Sequence, residues 1–343
     1  MADDVLRIGG FDTSARVLVV AEAGNNHEGD MDRARALVRA AAGCGVNAIK
    51  FQTFKTAAFV RRADAERYER MSRFELPPAA FAELAALARS AGLLFISTPL
   101  DLESVAVLEP LVDAYKVASG DNNFYPLLDR IARTKKPVLV STGLSDIQQV
   151  HATVRRLRDA WRPLGANPGL GLMHCVSSYP APPDQANLAA IGFLHRETGL
   201  TIGYSDHTQD AGIDACLLAV AAGARIVEKH FTLDKQTSDF RDHQLSADPG
   251  DMTRLVRAIE RLNAMIGRPE KVVQECERPG VVQFRRSIVA AADLPEGHRL
   301  SDADLTWLRP GDGLPPGTEP ELIGRVLVRP VARGAQIRTA DVR

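Results

Sequence analysis

Several features that would settle function early are scarce in this sequence. The four cysteines, Cys44, Cys175, Cys216 and Cys276, are far apart and form no CxxC pair. Neither a disulfide framework nor a thiolate zinc site is expected from them. No stretch reaches the roughly 20 apolar residues that cross a bilayer. The opening Met1-Ala2-Asp3-Asp4 is acidic and has no apolar run, unlike the start of a signal peptide. Charge of one sign is not in excess, with 42 Lys plus Arg against 43 Asp plus Glu. That balance excludes a broad basic footprint for nucleic acid, and the cluster Arg155, Arg156 and Arg158 reads as a solvated helix face. These absences predict a reduced, cytoplasmic compartment with neither a membrane nor a nucleic-acid partner.

What the sequence does have is a repeated alternation. Apolar, β-branched runs occur at 17–24, 48–53, 94–99, 114–119, 138–143, 171–176, 202–206 and 226–231. Between them Ala, Leu and Arg recur at helical spacing, as in 31–43 and 77–92. Alternating strands and helices imply parallel pairing through right-handed crossovers, and eight such units fit a closed (β/α)8 TIM barrel. A doubly wound open sheet is the alternative. No GxGxxG follows the first run, which weakens a dinucleotide site. The predicted domains are a barrel over 1–267, a linker over 268–283 and a small unit over 284–343. Within that small unit Leu294, Gly297, Leu300, Ala303, Asp304 and Leu305 recur 37 positions on as Val331, Gly334, Ile337, Ala340, Asp341 and Val342.

The ends of the eight runs are polar: Glu22, Lys50, Gln52, Thr98, Lys116, Ser119, Ser141, Ser177, Asp206, His207 and His230. In a barrel such ends open on the one face where active sites are built. His207 and His230 close the seventh and eighth runs, and two imidazoles on neighbouring strands suit a shared divalent ion. A hydrogen-bonded structural role is the competing reading for each. Lys50 and Lys116 are lysines at barrel mouths, where burial needs a partner. Together they suggest a multiply charged anion such as a phosphorylated carboxylate, with Thr98, Ser119, Ser141, Ser177 and Ser205 as hydroxyl donors. A Schiff-base lysine is the chemical rival. Glu22 is placed to bind sugar hydroxyls or move a proton. The polar segment Asp239-Phe240-Arg241-Asp242-His243 follows the eighth run. His174 and Cys175 are expected to be core residues.

These segments carry a resemblance. Glu22-Ala23-Gly24-Asn25-Asn26-His27-Glu28-Gly29, Lys50-Phe51-Gln52-Thr53, Phe95-Ile96-Ser97-Thr98-Pro99, Tyr115-Lys116-Val117-Ala118-Ser119-Gly120, Ser205-Asp206-His207-Thr208 and Glu228-Lys229-His230-Phe231-Thr232 stand in order. From residue 17 to its C-terminus the chain resembles the sialic acid synthases. Its tail, with Phe284-Arg285-Arg286-Ser287 and Arg309-Pro310-Gly311, is similar to that family's antifreeze-like (SAF) domain. The resemblance implies a (β/α)8 barrel, a Mn2+- or Mg2+-dependent condensation of phosphoenolpyruvate with an aldose, and a domain-swapped homodimer. It makes His207 and His230 the metal ligands, and Glu22, Lys50 and Lys116 the catalytic set. It assigns Lys50, Thr98, Lys116, Ser119, Ser141 and Ser205 to phosphoenolpyruvate, Ser177 standing where the family has an Asn. Glu22, Gln52, Tyr179 and Asp242 fall to the sugar, with Arg309 reaching it from the partner's tail domain. Asp121 replaces a usual Glu, and Phe240-Arg241-Asp242-His243 replaces a usual Gly-Pro-Asp-His. The aldose is therefore open between N-acetylmannosamine and a legionaminic, pseudaminic or deaminated nonulosonate precursor. A metal-dependent barrel hydrolase and an inactive barrel carrying an ice- or carbohydrate-binding tail are the remaining readings.

Overall fold

The structure, a computed structural model, describes residues 5–209 and 212–343; the acidic start Met1-Ala2-Asp3-Asp4 lies outside them. A hairpin of two-residue strands, β1 (Arg7–Ile8) and β2 (Phe11–Asp12), comes first. Eight parallel strands follow and close on themselves: β3 (Leu18–Gly24), β4 (Ala48–Thr53), β5 (Leu94–Pro99), β6 (Ala114–Val117), β7 (Val138–Ser141), β8 (Leu170–His174), β9 (Thr201–Asp206) and β10 (Ile226–His230). The expected (β/α)8 barrel is present. The hairpin was too short to show as a run in the sequence.

Alternation along each strand divides its residues between two environments. Those facing outward, such as Val19, Ala21, Ile49, Phe51, Phe95, Val138 and Val227, pack under the helices in the main apolar core. Those facing inward begin with an apolar floor of Val20, Ala48, Ile96, Ala114, Leu139, Met173 and Ile226. Leu6, Ile8 and Phe11 of the hairpin join this cluster and plug the barrel's lower end. Gly203 completes the ring on β9, where an added Cβ would come within 2.4 Å of Met173 Sδ and 2.7 Å of Ile226 Cβ. Only glycine leaves room for both neighbours at that level.

Helix boundaries follow local chemistry. Asp30 caps Met31–Gly43 by accepting from the amides of Asp32 and Arg33, and Asp101 caps Leu102–Leu108 in the same way. Such caps satisfy amides that the first helical turn leaves orphaned.

The chain divides into two compact units between Gly267 and Arg268. The stretch read as an aperiodic linker holds all but the last residue of the helix Arg278–Phe284, opened by Pro279 at its first turn. In the second unit β11 (Ser287–Ala290) pairs with β12 (Leu305–Leu308). The sequence repeat is an internal two-fold relation. Leu294 and Val331, equivalent positions, exchange backbone hydrogen bonds at 2.9 Å. Ala291 donates to Asp304 as Val328 donates to Asp341, and Gly297 donates to Leu327 as Gly334 donates to Ala290. Each copy contributes apolar residues, including Leu294, Leu300, Val331 and Ile337, to one small core.

Candidate active site

Two residues above the apolar floor, the inward positions turn polar on every strand. Val20 gives way to Glu22, Ala48 to Lys50, Ile96 to Thr98 and Ala114 to Lys116. Leu139 gives way to Ser141, Met173 to Cys175, Gly203 to Ser205 and Ile226 to Glu228. Apart from Cys175, all these polar residues line one cavity of about 440 Å3 at the C-terminal end of the barrel. Gln52, Ser119, Tyr179, His207, His230 and Asp242 line it as well. Twelve of the fourteen residues singled out in the sequence therefore share this wall.

Two do not. Ser177 lies on an adjacent pocket with Gly143 and Cys175, its hydroxyl buried without a partner. Beyond the end of β8 the backbone leaves strand geometry, so alternation no longer decides where Ser177 points. Arg309 belongs to the second unit, where it follows β12 and is exposed. One of the polar strand ends also departs from expectation. Asp206 faces outward, where its carboxylate takes Lys229 Nζ at 2.6 Å, the Tyr204 hydroxyl at 3.1 Å and the Thr208 amide at 2.9 Å. It is a strand-to-strand tie, set by its odd position between inward Ser205 and His207. His174 also faces outward, with Nε2 2.9 Å from Ala186 O.

Glu228 was missed. It stands two residues before His230 on the same strand, and that spacing alone puts both side chains inside. The cavity also takes Asp121, Arg67 and Arg241. Arg67 comes from the helix Ala65–Phe74, which no strand pattern could assign to the mouth.

Lys50 is the hub. Its Nζ lies 3.0 Å from Glu22 Oε1 and 3.3 Å from Glu228 Oε1, with Thr98 Oγ1 at 3.4 Å. Gln52 Nε2 donates to Glu22 Oε1 at 3.4 Å, and Gln52 Oε1 accepts from Asn25 Nδ2 at 2.7 Å. Lys116 donates to Ser141 Oγ and to Val117 O. Ser205 donates to Glu228 at 3.0 Å. The rings of His207 and His230 are 5.5 Å apart, and Tyr179 lies 4.2 Å from His207.

A model described as the NeuB family matches residues 37–271. The chain belongs to the NeuB family. A model of the SAF domain matches residues 285–343 of the second unit. An uncharacterized protein of Methanocaldococcus jannaschii is 43% identical over 86% of this chain and 86% of its own length. The N,N'-diacetyllegionaminic acid synthase of Legionella pneumophila is 36% identical over 95% of this chain and 94% of its own. Among solved structures, the N-acetylneuraminic acid (sialic acid) synthetase of Leptospira borgpetersenii superposes with a TM-score of 0.76 at 31% identity. That match covers 81% of this chain and 95% of the other. The resemblance to sialic acid synthases is thus found in fold as well as in sequence.

In this NeuB-family cavity, burial divides the ionisable groups by role. Burial raises Glu22 to about 7 against the pull of Lys50, and the neighbouring Glu228 carboxylate adds to the rise. Burial acts on Glu228 too, but Lys50 and Lys116 outweigh it and hold that carboxylate below its ordinary range. The same two carboxylates keep Lys50 above its usual value despite its burial. Lys116, without so close a carboxylate, is lowered by burial. Burial also pushes Asp242 up to about 6. The two lysines thus favour the anion at Glu228, while burial favours the proton on Glu22.

The donors also suit a divalent cation. Burial lowers His207 and His230, which favours the neutral imidazole in each. His207 donates Nδ1–H to Val176 O at 2.7 Å, which leaves Nε2 as a lone-pair donor, the arrangement usual for a metal-binding histidine. His230 Nδ1 and Glu22 Oε2 are buried without hydrogen-bond partners. Among the described residues no three His, Cys, Asp or Glu side chains cluster closely enough to hold an ion. An ion here would rest on the two imidazoles and complete its shell from water or substrate.

Proposed function

We propose that this chain condenses phosphoenolpyruvate with an N-acyl-amino aldose and water, giving a 2-keto-3-deoxy nine-carbon acid and inorganic phosphate. One observation carries the reading. The buried side chains of Lys50, Lys116 and Glu22 face the same 440 Å3 cavity as the imidazoles of His207 and His230. An anion bearing both carboxylate and phosphate suits the ammonium side, and a polyhydroxy aldehyde suits the side formed by Glu22, Gln52, Tyr179 and Asp242.

In this reading C3 of phosphoenolpyruvate attacks the aldehyde carbon, water adds at C2, and the C2–O bond to phosphate breaks. His207 and His230 would hold a divalent Mn2+ or Mg2+, and the chemistry such an ion would supply is Lewis-acid polarisation of the aldehyde. Lys50 and Lys116 balance the charge of the phosphorylated enol in fixed positions, so little reorganisation accompanies the reaction. Thr98, Ser119, Ser141 and Ser205 donate hydroxyl hydrogen bonds to the same anion. Glu22 delivers or accepts the proton at the aldehyde oxygen, a role that fits its raised pKa. Glu228 holds Lys50 and Ser205 in place. The implied homodimer, with Arg309 reaching a partner's sugar, and a cytoplasmic setting belong to the same proposal. The chain has four free cysteines, and no helix among the described residues is long and apolar enough to cross a membrane.

The test is phosphate release from phosphoenolpyruvate by the purified full chain with Mn2+. The panel is N-acetylmannosamine, the legionaminic and pseudaminic precursor aldoses, and mannose. Release matched one-to-one by keto acid with an N-acyl aldose is expected. The legionaminic precursor has particular standing because the Legionella relative matches almost the full length. No release with any member of the panel would end the proposal, and borohydride trapping of a lysine adduct would replace it with a Schiff-base aldolase.

A further inference from the structure

Glu28 does not line the reaction cavity, yet it sits at a crossing of three elements. It lies in the loop leaving β3, six residues after Glu22, and has φ of +50°. A residue with a Cβ rarely adopts that conformation unless its surroundings hold it there. Glu28 sits in a tight turn, its amide donating to Asn25 O at 2.9 Å, and its carboxylate is engaged through both oxygens. Oε1 accepts from His243 Nε2 at 3.0 Å and from the Ser238 hydroxyl, while Oε2 lies 3.2 Å from Arg33. His243 is fully buried, and its other nitrogen lies 2.7 Å from Thr232 Oγ1.

We infer that Glu28 is a positioning residue whose carboxylate latches the segment 238–246 to the loop after β3, and so sets Asp242 and Arg241 against the aldose half of the cavity. The inference rests on the proposed condensation for its readout in kinetics. Asp242 and Arg241 open the helix Arg241–Leu245, immediately before His243. Asp242 Oδ2 lies 3.8 Å from His230 Nδ1, and the Arg241 guanidinium lies over the Tyr179 ring at 5.5 Å. Both residues are shared between the reaction cavity and an outer chamber of about 640 Å3, one wall of which is Glu28 itself. A second strut runs in parallel. Asn26 Nδ2 donates to Ser246 Oγ at 3.0 Å, and Ser246 donates to Asp242 O. The Asn26 strut fixes the far end of the short helix. Glu28 holds its beginning, where the two cavity-facing side chains are, by tying down His243 and Ser238 beside the packing of Phe240 on Phe74. None of the phosphoenolpyruvate-side residues touches this network, so its loss should separate the two substrates.

The experiment uses the full chain and the variants Glu28→Ala, Glu28→Gly and Glu28→Gln. KM for aldose and for phosphoenolpyruvate are measured separately, together with amide hydrogen exchange. With Glu28→Ala and Glu28→Gly, aldose KM should rise about tenfold, as expected for losing a charge-assisted hydrogen bond. The phosphoenolpyruvate KM and kcat should stay within about twofold. Amides of 238–246 should exchange faster, with those of 118–121 unchanged. Glu28→Gln, which keeps an acceptor for His243 and Ser238, should recover most of the aldose KM. The inference is overturned if Glu28→Gly behaves as wild type, since backbone strain would then be the whole effect. It is also overturned if kcat and both KM values deteriorate together, or if exchange at 238–246 does not change. Absence of phosphate release by the unaltered chain would instead sink the condensation itself, and the exchange measurement would still decide the latch.

Discussion

The strand pair that closes the barrel sets His230 directly beside Glu22, the two being register partners on β10 and β3. An imidazole with an unpartnered nitrogen and a carboxylate raised to about 7 thus face the same volume from adjacent strands. Lys50, the register partner of Glu22 on its other side, completes a row in which each side chain conditions the next.

Glu22→Gln should abolish turnover while leaving the fold intact. The amide keeps the shape and can still accept from Lys50 and Gln52, but it cannot exchange a proton. A loss of about 10²–10⁴ in kcat is expected for removing a general acid or base. Wild-type rates at full substrate saturation would show the proton role to be misassigned.

The same variant should change the pH dependence of stability. An acid raised from its ordinary value to about 7 on folding binds its proton more tightly in the native state. Between the two values the native chain therefore holds the extra proton, and stability falls as pH rises through that window. Thermal melting of wild type should weaken relative to Glu22→Gln from about pH 4.5 to about pH 7 and run parallel to it outside. Parallel curves throughout would mean that Glu22 is not shifted.

Removing the two lysines should have different consequences. Lys50→Ala leaves Glu22 and Glu228 facing each other without a cation, and breaking such a buried pair costs about 3–5 kcal/mol. Lys116→Ala deprives Ser141 and the Val117 carbonyl of a donor but isolates no carboxylate at comparable range. Melting temperature should fall several degrees more for Lys50→Ala. Lys116→Ala should show its loss mainly as a raised KM for phosphoenolpyruvate. Equal melting temperatures would refute the hub role of Lys50.

Much of this was legible in the sequence because a barrel converts position into direction. Eight apolar runs fix the strand ends, and alternation then places Glu22, Lys50, Lys116, Ser141, Ser205 and His230 on the inside without further information. The same rule, applied two residues back from His230, finds Glu228, and applied one residue forward from Ser205 sends Asp206 outward to Lys229. Where strand geometry stops, direction is lost. Ser177 lies past the end of β8 and turns into a neighbouring pocket. Arg67 and the Glu28 latch depend on how a helix and two loops pack over the mouth, which no local period encodes. The β1–β2 hairpin was invisible because its strands are two residues long.

If His207 and His230 share a divalent ion, chelation should stop turnover and Mn2+ should restore it. His207→Ala and His230→Ala should each weaken Mn2+ binding, read by calorimetry as well as by rate. The Val176 carbonyl that orients His207 is backbone, so His207→Gln, which can still reach it, should retain the fold but not the ion. Undiminished turnover after exhaustive chelation would remove the metal from the mechanism.

Asp206→Asn separates the outward strand ends from the inward ones. Asp206 and Lys229 are both buried between β9 and β10 and the helices outside them, and the carboxylate also satisfies Thr208 and Tyr204. An amide in its place leaves the Lys229 ammonium without a counter-charge in a dry environment, for which a cost of about 3–5 kcal/mol is reasonable. In a barrel of this size each kcal/mol lowers the melting temperature by about 2–4 °C, so a drop near 10 °C is expected. Because neither group reaches the cavity, both KM values and kcat at a temperature well below the transition should be unchanged. A variant that melts normally but loses phosphate release would instead put Asp206 among the reacting groups, contrary to the outward direction that alternation gives it.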